Sequence, residues 1–370
     1  MATYDVLVCD LRTDRLLDRL EITGVSYDLY IGKTGSLSGT VHIPDPDTAR
    51  RVRAALVPGR TMIYLSRSTA FASEIVWGGI LWTRTPGRDG RGYWTVNIQA
   101  AGLESVLRAH RLLTDTFTAA AIDQLDIARQ LVAYAQAAPG GDLGIEIDWS
   151  QTSGVTRDRV YSRYDLPWIG TLLDQLAGVQ GGFEWLVHVF RDDTGARHRT
   201  LRLGYPRIIV AGGDVILKSP GLIGTYSLPE DATRFATAWQ SRGATVNTNL
   251  AAASVPLMSA LLTSPDDIAA GWPRLDGTSD YSTVTTQDVV DQHAAADLAA
   301  ARRPVLVPAV TYASGDTAQP QLGAYARISI RDDWFYDGMS ERYRIVGLKV
   351  SPEERGRPES TELYLEAPSA

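Results

Sequence analysis

The sequence predicts an α+β, β-rich fold: two β-barrel-like domains, an α/β domain inserted into the first, and a helical insert ahead of the second. Three observations carry this prediction. Over residues 1–112, short β-prone runs alternate at a period of two between turn residues. From 118 to 178 the apolar period lengthens to that of helices, and over 305–370 it returns to two. The chain has 370 residues, 44% hydrophobic and 21% charged, material for about two to four folding units.

Residues 4–11, 16–22 and 36–43 read as strands, the last with Leu37, Val41 and Ile43 on even steps. A short helix over 48–56 ends at Pro58-Gly59. Strands over 61–66, 74–84 and 93–100 follow, with Trp94, Val96 and Ile98 on one face and Gly87-Arg88-Asp89-Gly90 as a hairpin signal. Strands at this spacing suit a barrel or sandwich closed against edge pairing. Thr118 is placed as the N-cap of a helix burying Ile122, Leu125, Ala128, Leu131, Val132 and Ala135, which Gly140-Gly141 ends. Residues 143–149 are strand-like. A second helix follows Asp165, takes Pro167 in its first turn, and buries Ile169, Leu172, Leu173 and Leu176 before Gly178. Alternation through Phe183, Trp185, Val187 and Val189, a turn at Asp192-Asp193-Thr194-Gly195, and alternation through Leu201, Leu203 and Tyr205 make a hairpin.

Beyond it, 225–228 and 236–239 are strand candidates, and 247–263 reads as an Ala-, Ser- and Asn-rich surface loop. Helices open at Ser264-Pro265 and at Thr286, the longer one passing through Val289, Val290, His293 and Leu298. Strands over 305–312, 323–331, 341–350 and 360–367 complete the chain. The expected organisation is residues 1–112 with 211–246 as the first β domain, 113–210 as the α/β insert, 247–304 as loop and helical insert, and 305–370 as the second β domain.

Composition excludes several functions. Basic residues number 36 against 43 acidic ones, a net charge of −7, and the arginines are scattered, which disfavours a nucleic-acid grip built on clustered phosphate contacts. Lysine occurs only at Lys33, Lys218 and Lys349, a bias that fits a GC-rich genome. The single cysteine, Cys9, rules out an intrachain disulfide and every Cys-cluster metal site, and its apolar setting makes it a small buried side chain. No apolar run approaches the ~20 residues that span a bilayer, and no signal-peptide pattern opens the chain. A protein made in a cytoplasm and remaining soluble is expected.

Catalytic and cofactor motifs are missing from the sequence. Gly35-Ser36-Leu37-Ser38-Gly39 lacks the central serine of a nucleophile elbow, and Gly87, Gly90 and Gly92 do not keep a phosphate-loop spacing. Of the five histidines, His42, His110, His188, His198 and His293, only His188 and His198 can face each other, across the hairpin; a zinc site there needs Glu184 or Asp192 as a third ligand, and cross-strand polar neighbours are the other reading. The carboxylate pairs Asp45/Asp47, Asp192/Asp193, Asp266/Asp267, Asp332/Asp333 and Glu353/Glu354 sit where turns and helix starts use them. No catalytic, cofactor or metal residue is assigned, and no enzyme is expected. Nine tryptophans and sixteen tyrosines suggest sugar binding, but Trp82, Trp94 and Trp185 fall in strands where burial accounts for them. The run Trp334, Phe335, Tyr336 lies in a loop between two strands, where three successive aromatics cannot all enter one core. These three form the candidate interface with a neighbouring chain or partner.

The order of elements and four phrases, Tyr30-Ile31-Gly32-Lys33-Thr34-Gly35-Ser36-Leu37-Ser38-Gly39, Leu125-Asp126-Ile127-Ala128-Arg129-Gln130-Leu131, Tyr164-Asp165-Leu166-Pro167 and Tyr343-Arg344-Ile345-Val346-Gly347-Leu348, resemble minor tail proteins of long-tailed actinobacterial phages. That family is similar to tail-hub, or tail-associated, proteins and to the central baseplate hub of contractile phages. The resemblance implies a homotrimer whose two barrel-like tube domains per chain make a pseudo-sixfold ring at the distal tail tip of the virion. The implied neighbours are the distal tail ring protein, the tape measure protein and fibre or receptor-binding proteins, with viral DNA passing only in transit. Relatives often carry an enzymatic or fibre extension after the hub; this chain ends at Ala370 after a β-rich segment, so no lytic activity carries over. An acidic balance suits a wall that DNA passes. Two alternatives stand beside this reading: a tail protein that binds or cleaves host-wall carbohydrate, and a receptor-binding adhesin using the loop at Trp334 to Tyr336.

Overall fold

A computed structural model describes residues 2–70, 72–245, 254–302, 305–306, 309–315, 317–354 and 356–366. The chain begins with β1 (Thr3–Asp10), β2 (Leu16–Leu20), β3 (Thr23–Tyr30), β4 (Ser36–Ile43), α1 (Pro46–Ala55), β5 (Thr61–Ser68), β6 (Ser73–Arg88) and β7 (Trp94–Ala101). Strand β3 escapes sequence reading because most of its side chains are half-buried, which blurs the alternation. Asp45 caps α1 by accepting the Thr48 N–H at 2.8 Å, with Pro46 in the first turn.

Next come α2 (Glu104–Ala109), β8 (Phe117–Asp123), α3 (Gln124–Ala137), β9 (Glu146–Ile147), β10 (Thr156–Tyr161), α4 (Ile169–Ala177), β11 (Glu184–Arg191) and β12 (Arg197–Gly204). Thr118 is not the N-cap of α3. It lies in β8, paired antiparallel with β10, and Asp123 caps the helix through the Leu125 N–H at 2.8 Å. Asp123 also accepts from the Ser153 and Gly154 N–H groups, both at 2.8 Å, so a loop thirty residues on fixes where the helix starts. Pro167 likewise precedes α4, with Trp168 as its N-cap.

The remaining elements are β13 (Val215–Ser219), β14 (Ile223–Ser227), β15 (Glu230–Asp231), β16 (Ala238–Thr245), β17 (Pro256–Met258), β18 (Leu262–Thr263), α5 (Pro265–Ala269), β19 (Asp276–Asp280), α6 (Gln287–Ala301), β20 (Val305–Leu306), β21 (Ala309–Ala313), β22 (Tyr325–Ile330), β23 (Met339–Ser351) and β24 (Ser360–Glu366). The expected loop over 247–263 lies partly outside the described residues, and its later part supplies β17 and β18, both paired with β16. Helix α6 packs on β16 and buries Val290, Ala294 and Leu298.

The fold is β-rich, as the sequence predicts, and among the described residues the strands form no closed barrel. Thirteen of them form one sheet in the order β14-β21-β24-β23-β3-β4-β7-β6-β5-β1-β2, with β22 on β23 and β13 on β22. Residues 215–227, grouped above with 1–112, pair instead with β22 and β21 near the end of the chain. Strand β23 joins the first and last parts: its first half pairs with β22, its second half with β3, and its opposite edge with β24.

Strands β1 and β5 are buried on both faces, so they read as continuous apolar runs. Val6, Val8, Ile63 and Leu65 join one core with the C-terminal strands. Leu7, Cys9, Met62 and Tyr64 join the other, with α3, α4 and the β11–β12 hairpin. Buried arginines fasten the insert. Arg199, 5% exposed, donates to the Leu11 and Leu143 carbonyls at 2.8 and 2.6 Å and to Asp14 at 2.6 Å. Arg344 bridges Glu184 and Glu366, each at 2.6 Å, tying β11 to β23 and β24.

Candidate functional site

The aromatic run occupies the hairpin tip between β22 and β23. Asp332 builds the tip: its Oδ1 accepts the N–H groups of Trp334 at 3.0 Å and Phe335 at 2.9 Å, an Asx turn. Its other oxygen accepts the Tyr226 hydroxyl, a tie from β14, and these hydrogen bonds hold the Asp332 carboxyl below its ordinary range, with the Tyr226 bond the largest cause. The chain returns through Gly338, whose φ of +84° closes the turn with a hydrogen bond to the Phe335 carbonyl at 2.9 Å.

This geometry separates the three aromatics. Phe335 is half-buried and packs on the core with its ring 6.4 Å from that of Tyr226. Trp334 and Tyr336 point outward, 81% and 74% exposed. One ring therefore anchors the turn and two are presented to solvent from a braced main chain, which lowers the backbone ordering cost of any contact they make.

Other sequence candidates resolve differently. His188 and His198 do not face one another; their registry partners are Thr200 and Phe190. The rings stack instead in a ladder, His188 on Phe190 and Phe190 on His198, each 5.0 Å apart. His198 lies between two carboxylates, Nδ1 to Glu146 at 2.8 Å and Nε2 to Asp192 at 3.2 Å, and the bonds to Glu146 and Asp192 raise its pKa. His188 is pushed down to about 4 by burial and by nearby Arg202. Glu184 belongs to Arg344. Among the described residues no cluster of three or more acidic, His or Cys side chains is placed to hold a metal.

At least one member of each carboxylate pair accepts main-chain or arginine hydrogen bonds. Asp192 accepts from Thr194 and Ala196 within its turn, Asp267 holds Arg302 at 2.5 Å, and Glu354 accepts the Gly24 N–H at 3.0 Å. Cys9 is fully buried, and burial pushes its thiol up to about 11. Trp185 is buried as expected, and Trp82 is half-buried against His110, with ring centroids 4.5 Å apart. Trp94 is 48% exposed beside the exposed Tyr93, because the β6–β7 hairpin tip extends past the core. A second exposed apolar group, Tyr164, Leu166 and Trp168, follows β10. The sequence hint was the Tyr164-Asp165-Leu166-Pro167 phrase, where a 3-10 turn ends with Leu166 at φ +47°.

No protein-family model matches the sequence, and no curated protein matches it either. Solved structures do share the fold. A tail protein from Neisseria meningitidis aligns with a TM-score of 0.58 at 14% identity, over 98% of this chain and 96% of that one. The 43 kDa tail protein of prophage MuSo2 from Shewanella oneidensis gives 0.58 at 9% identity, covering 98% of each chain. A Francisella PdpA–VgrG complex gives 0.54 at 9% identity over 99% of this chain and 58% of that one. The chain has the fold of phage tail and VgrG-like hub proteins over 98–99% of its length.

Proposed function

We propose that this chain is a structural hub protein of a phage tail tip, an assembly component of the virion and not an enzyme. The observation that carries the reading is the end-to-end match with tail proteins, in which neither chain leaves a large unmatched part. The braced, outward-facing Trp334 and Tyr336 support it, since a rigid aromatic pair on a hairpin fits docking better than catalysis.

In this reading three copies form a ring that continues the tail tube, joins the distal tail ring and tape measure proteins to the fibre or receptor-binding components, and lets DNA pass. The tip at Trp334 meets a neighbouring subunit or tail component. Light scattering on the purified chain, followed by electron microscopy of purified tails, tests this. A threefold ring with a central opening at the distal tip is the expected result. A monodisperse monomer at high concentration, or absence from tail tips, overturns it. The outward aromatics also fit an adhesin, which predicts that the isolated chain blocks phage adsorption and that Trp334→Ala does not.

A further inference from the structure

A cavity of about 310 Å³ lies between β10 and the start of α6, far in sequence from the aromatic tip. Three of its lining side chains are at least nine-tenths buried: Arg159 is 8% exposed, Tyr161 9% and His293 2%. Each carries a polar atom that makes no well-formed hydrogen bond, namely Nη2 of Arg159, the hydroxyl of Tyr161 and Nδ1 of His293, although the Tyr161 hydroxyl lies near the Arg159 guanidinium and His293 near the Gly178 main chain. A buried polar group left without a well-formed bond is costly, and all three belong to residues that line this one cavity.

The charge balance says what the centre is. Arg157 bonds only neutral acceptors, Gln124 at 3.2 Å, Gln292 at 2.6 Å and the Gln180 carbonyl at 2.7 Å. Arg159 donates to the main-chain oxygen of Asp158 at 2.8 Å and otherwise lies beside the neutral Tyr161 hydroxyl. Two guanidinium groups therefore share the site with no carboxylate paired to either among the described residues, and their mutual repulsion adds to burial in lowering the pKa of Arg157. The nearby acids are engaged elsewhere: Asp297, which acts on His293 from one turn further along α6, accepts the Ser279 and Tyr281 hydroxyls. The Asp158 carboxylate accepts the Ala121 N–H at 2.6 Å, and Asp288 stands on the exposed rim. The fifteen-residue helix α6 also begins here, and its N-cap residue, Thr286, makes no side-chain capping bond, leaving first-turn N–H groups open. Water satisfies hydrogen bonds but not charge.

We propose that this cavity binds an oxyanion group, a phosphate or a carboxylate, held by Arg159, Tyr161 and His293 against the N-terminus of α6. The two guanidiniums supply the charge, the tyrosine hydroxyl supplies a directed donor, as does the imidazole in the tautomer that places its proton on Nδ1, and the open helix end adds N–H groups. The site is independent of the assembly role, because neither its residues nor its chemistry involves the hairpin tip.

Isothermal titration of the full chain in a chloride buffer, with inorganic phosphate in one arm and acetate in the other at matched ionic strength, tests the proposal. Saturable one-site binding of at least one probe is expected, and the stronger arm identifies the oxyanion class. Arg159→Met is expected to weaken that binding about tenfold or more, and the shape-conserving Tyr161→Phe about three- to tenfold. If Arg159→Met does not fold, Tyr161→Phe and the wild-type titration still decide. Absence of saturable binding in both arms, or unchanged affinity in the variants, overturns the site.

Discussion

Arg67 on β5 and Glu359, 292 positions later and just before β24, form a buried ion pair, with 3.0 Å between Nη2 and Oε1 and side chains 1% and 4% exposed. Glu359 also accepts the hydroxyls of Tyr4 at 2.6 Å and Ser314 at 2.7 Å. Burial, reinforced by the bond to Glu359, pushes the Tyr4 hydroxyl well above its ordinary pKa, so it stays a donor. The first strands and the last are thus clamped by one polar cluster as well as by the β3–β23 pairing.

Removing one partner leaves an uncompensated buried charge, so Arg67→Met or Glu359→Gln is expected to cost about 3–5 kcal/mol in urea unfolding. The double variant should cost clearly less than the sum, because each single change carries the other's stranded charge. Additive losses would show that the two residues are not energetically coupled.

At the hairpin tip, stability and association should separate. Asp332→Ala removes acceptors from two main-chain N–H groups and from Tyr226, and is expected to lower the unfolding midpoint and speed amide exchange at Trp334 and Phe335. Trp334→Ala, at an exposed position, should leave the unfolding midpoint within about 0.5 kcal/mol of wild type while weakening self-association or docking. A Trp334→Ala protein that assembles normally removes the tip from the interface.

Helix α4 and the β11–β12 hairpin were legible because their periodicity is local: Ile169, Leu172, Leu173 and Leu176 are all buried on α4 as spaced, whereas the short α2 was not read. What was illegible depends on distant partners. Residues 117–123 look like the first turn of a helix until β10 pairs with them. The 215–227 strands carry no mark of belonging with 309–330. The aromatic tip was readable because three consecutive large rings violate alternation. Arg159, Tyr161 and His293 were not, since only folding brings residues from two segments over a hundred positions apart to one cavity.

Two histidines should titrate with opposite consequences. His188 has its folded pKa lowered to about 4, so its contribution is present above the unfolded value of 6.5 and is lost as pH falls through about 4. His198 has its folded pKa raised above 6.5, chiefly by Glu146 and then Asp192, so its contribution is full below 6.5 and is lost as pH rises through the folded value. Thermal midpoints from pH 4 to 9 should therefore show His188→Gln flattening the acid-side loss and His198→Gln flattening a loss above pH 6.5. If both variants track wild type across that range, the two imidazole environments are not as described.

The seam between β3 and β23 gives the last prediction, and it connects two of the phrases that carried the family resemblance. Tyr30 and Gly347 are registry partners, Leu29 faces Leu348, and the Ile31 N–H donates to the Val346 carbonyl at 2.9 Å. Gly347 is small because the Tyr30 ring lies where its Cβ would be, with a Tyr364 ring carbon 3.2 Å from the same point. The rings of Tyr30 and Tyr364 sit 5.5 Å apart and cover this stretch of the seam together. Gly347→Ala must push them aside and is expected to cost about 1–3 kcal/mol by urea unfolding. Combining it with Tyr30→Ala vacates the space, so the added alanine should then cost clearly less than it does in the wild-type background. An equal penalty in both backgrounds would mean that glycine is needed there for its backbone, beside the irregular register between Ile345 and Gly347, and not for the close approach of the ring.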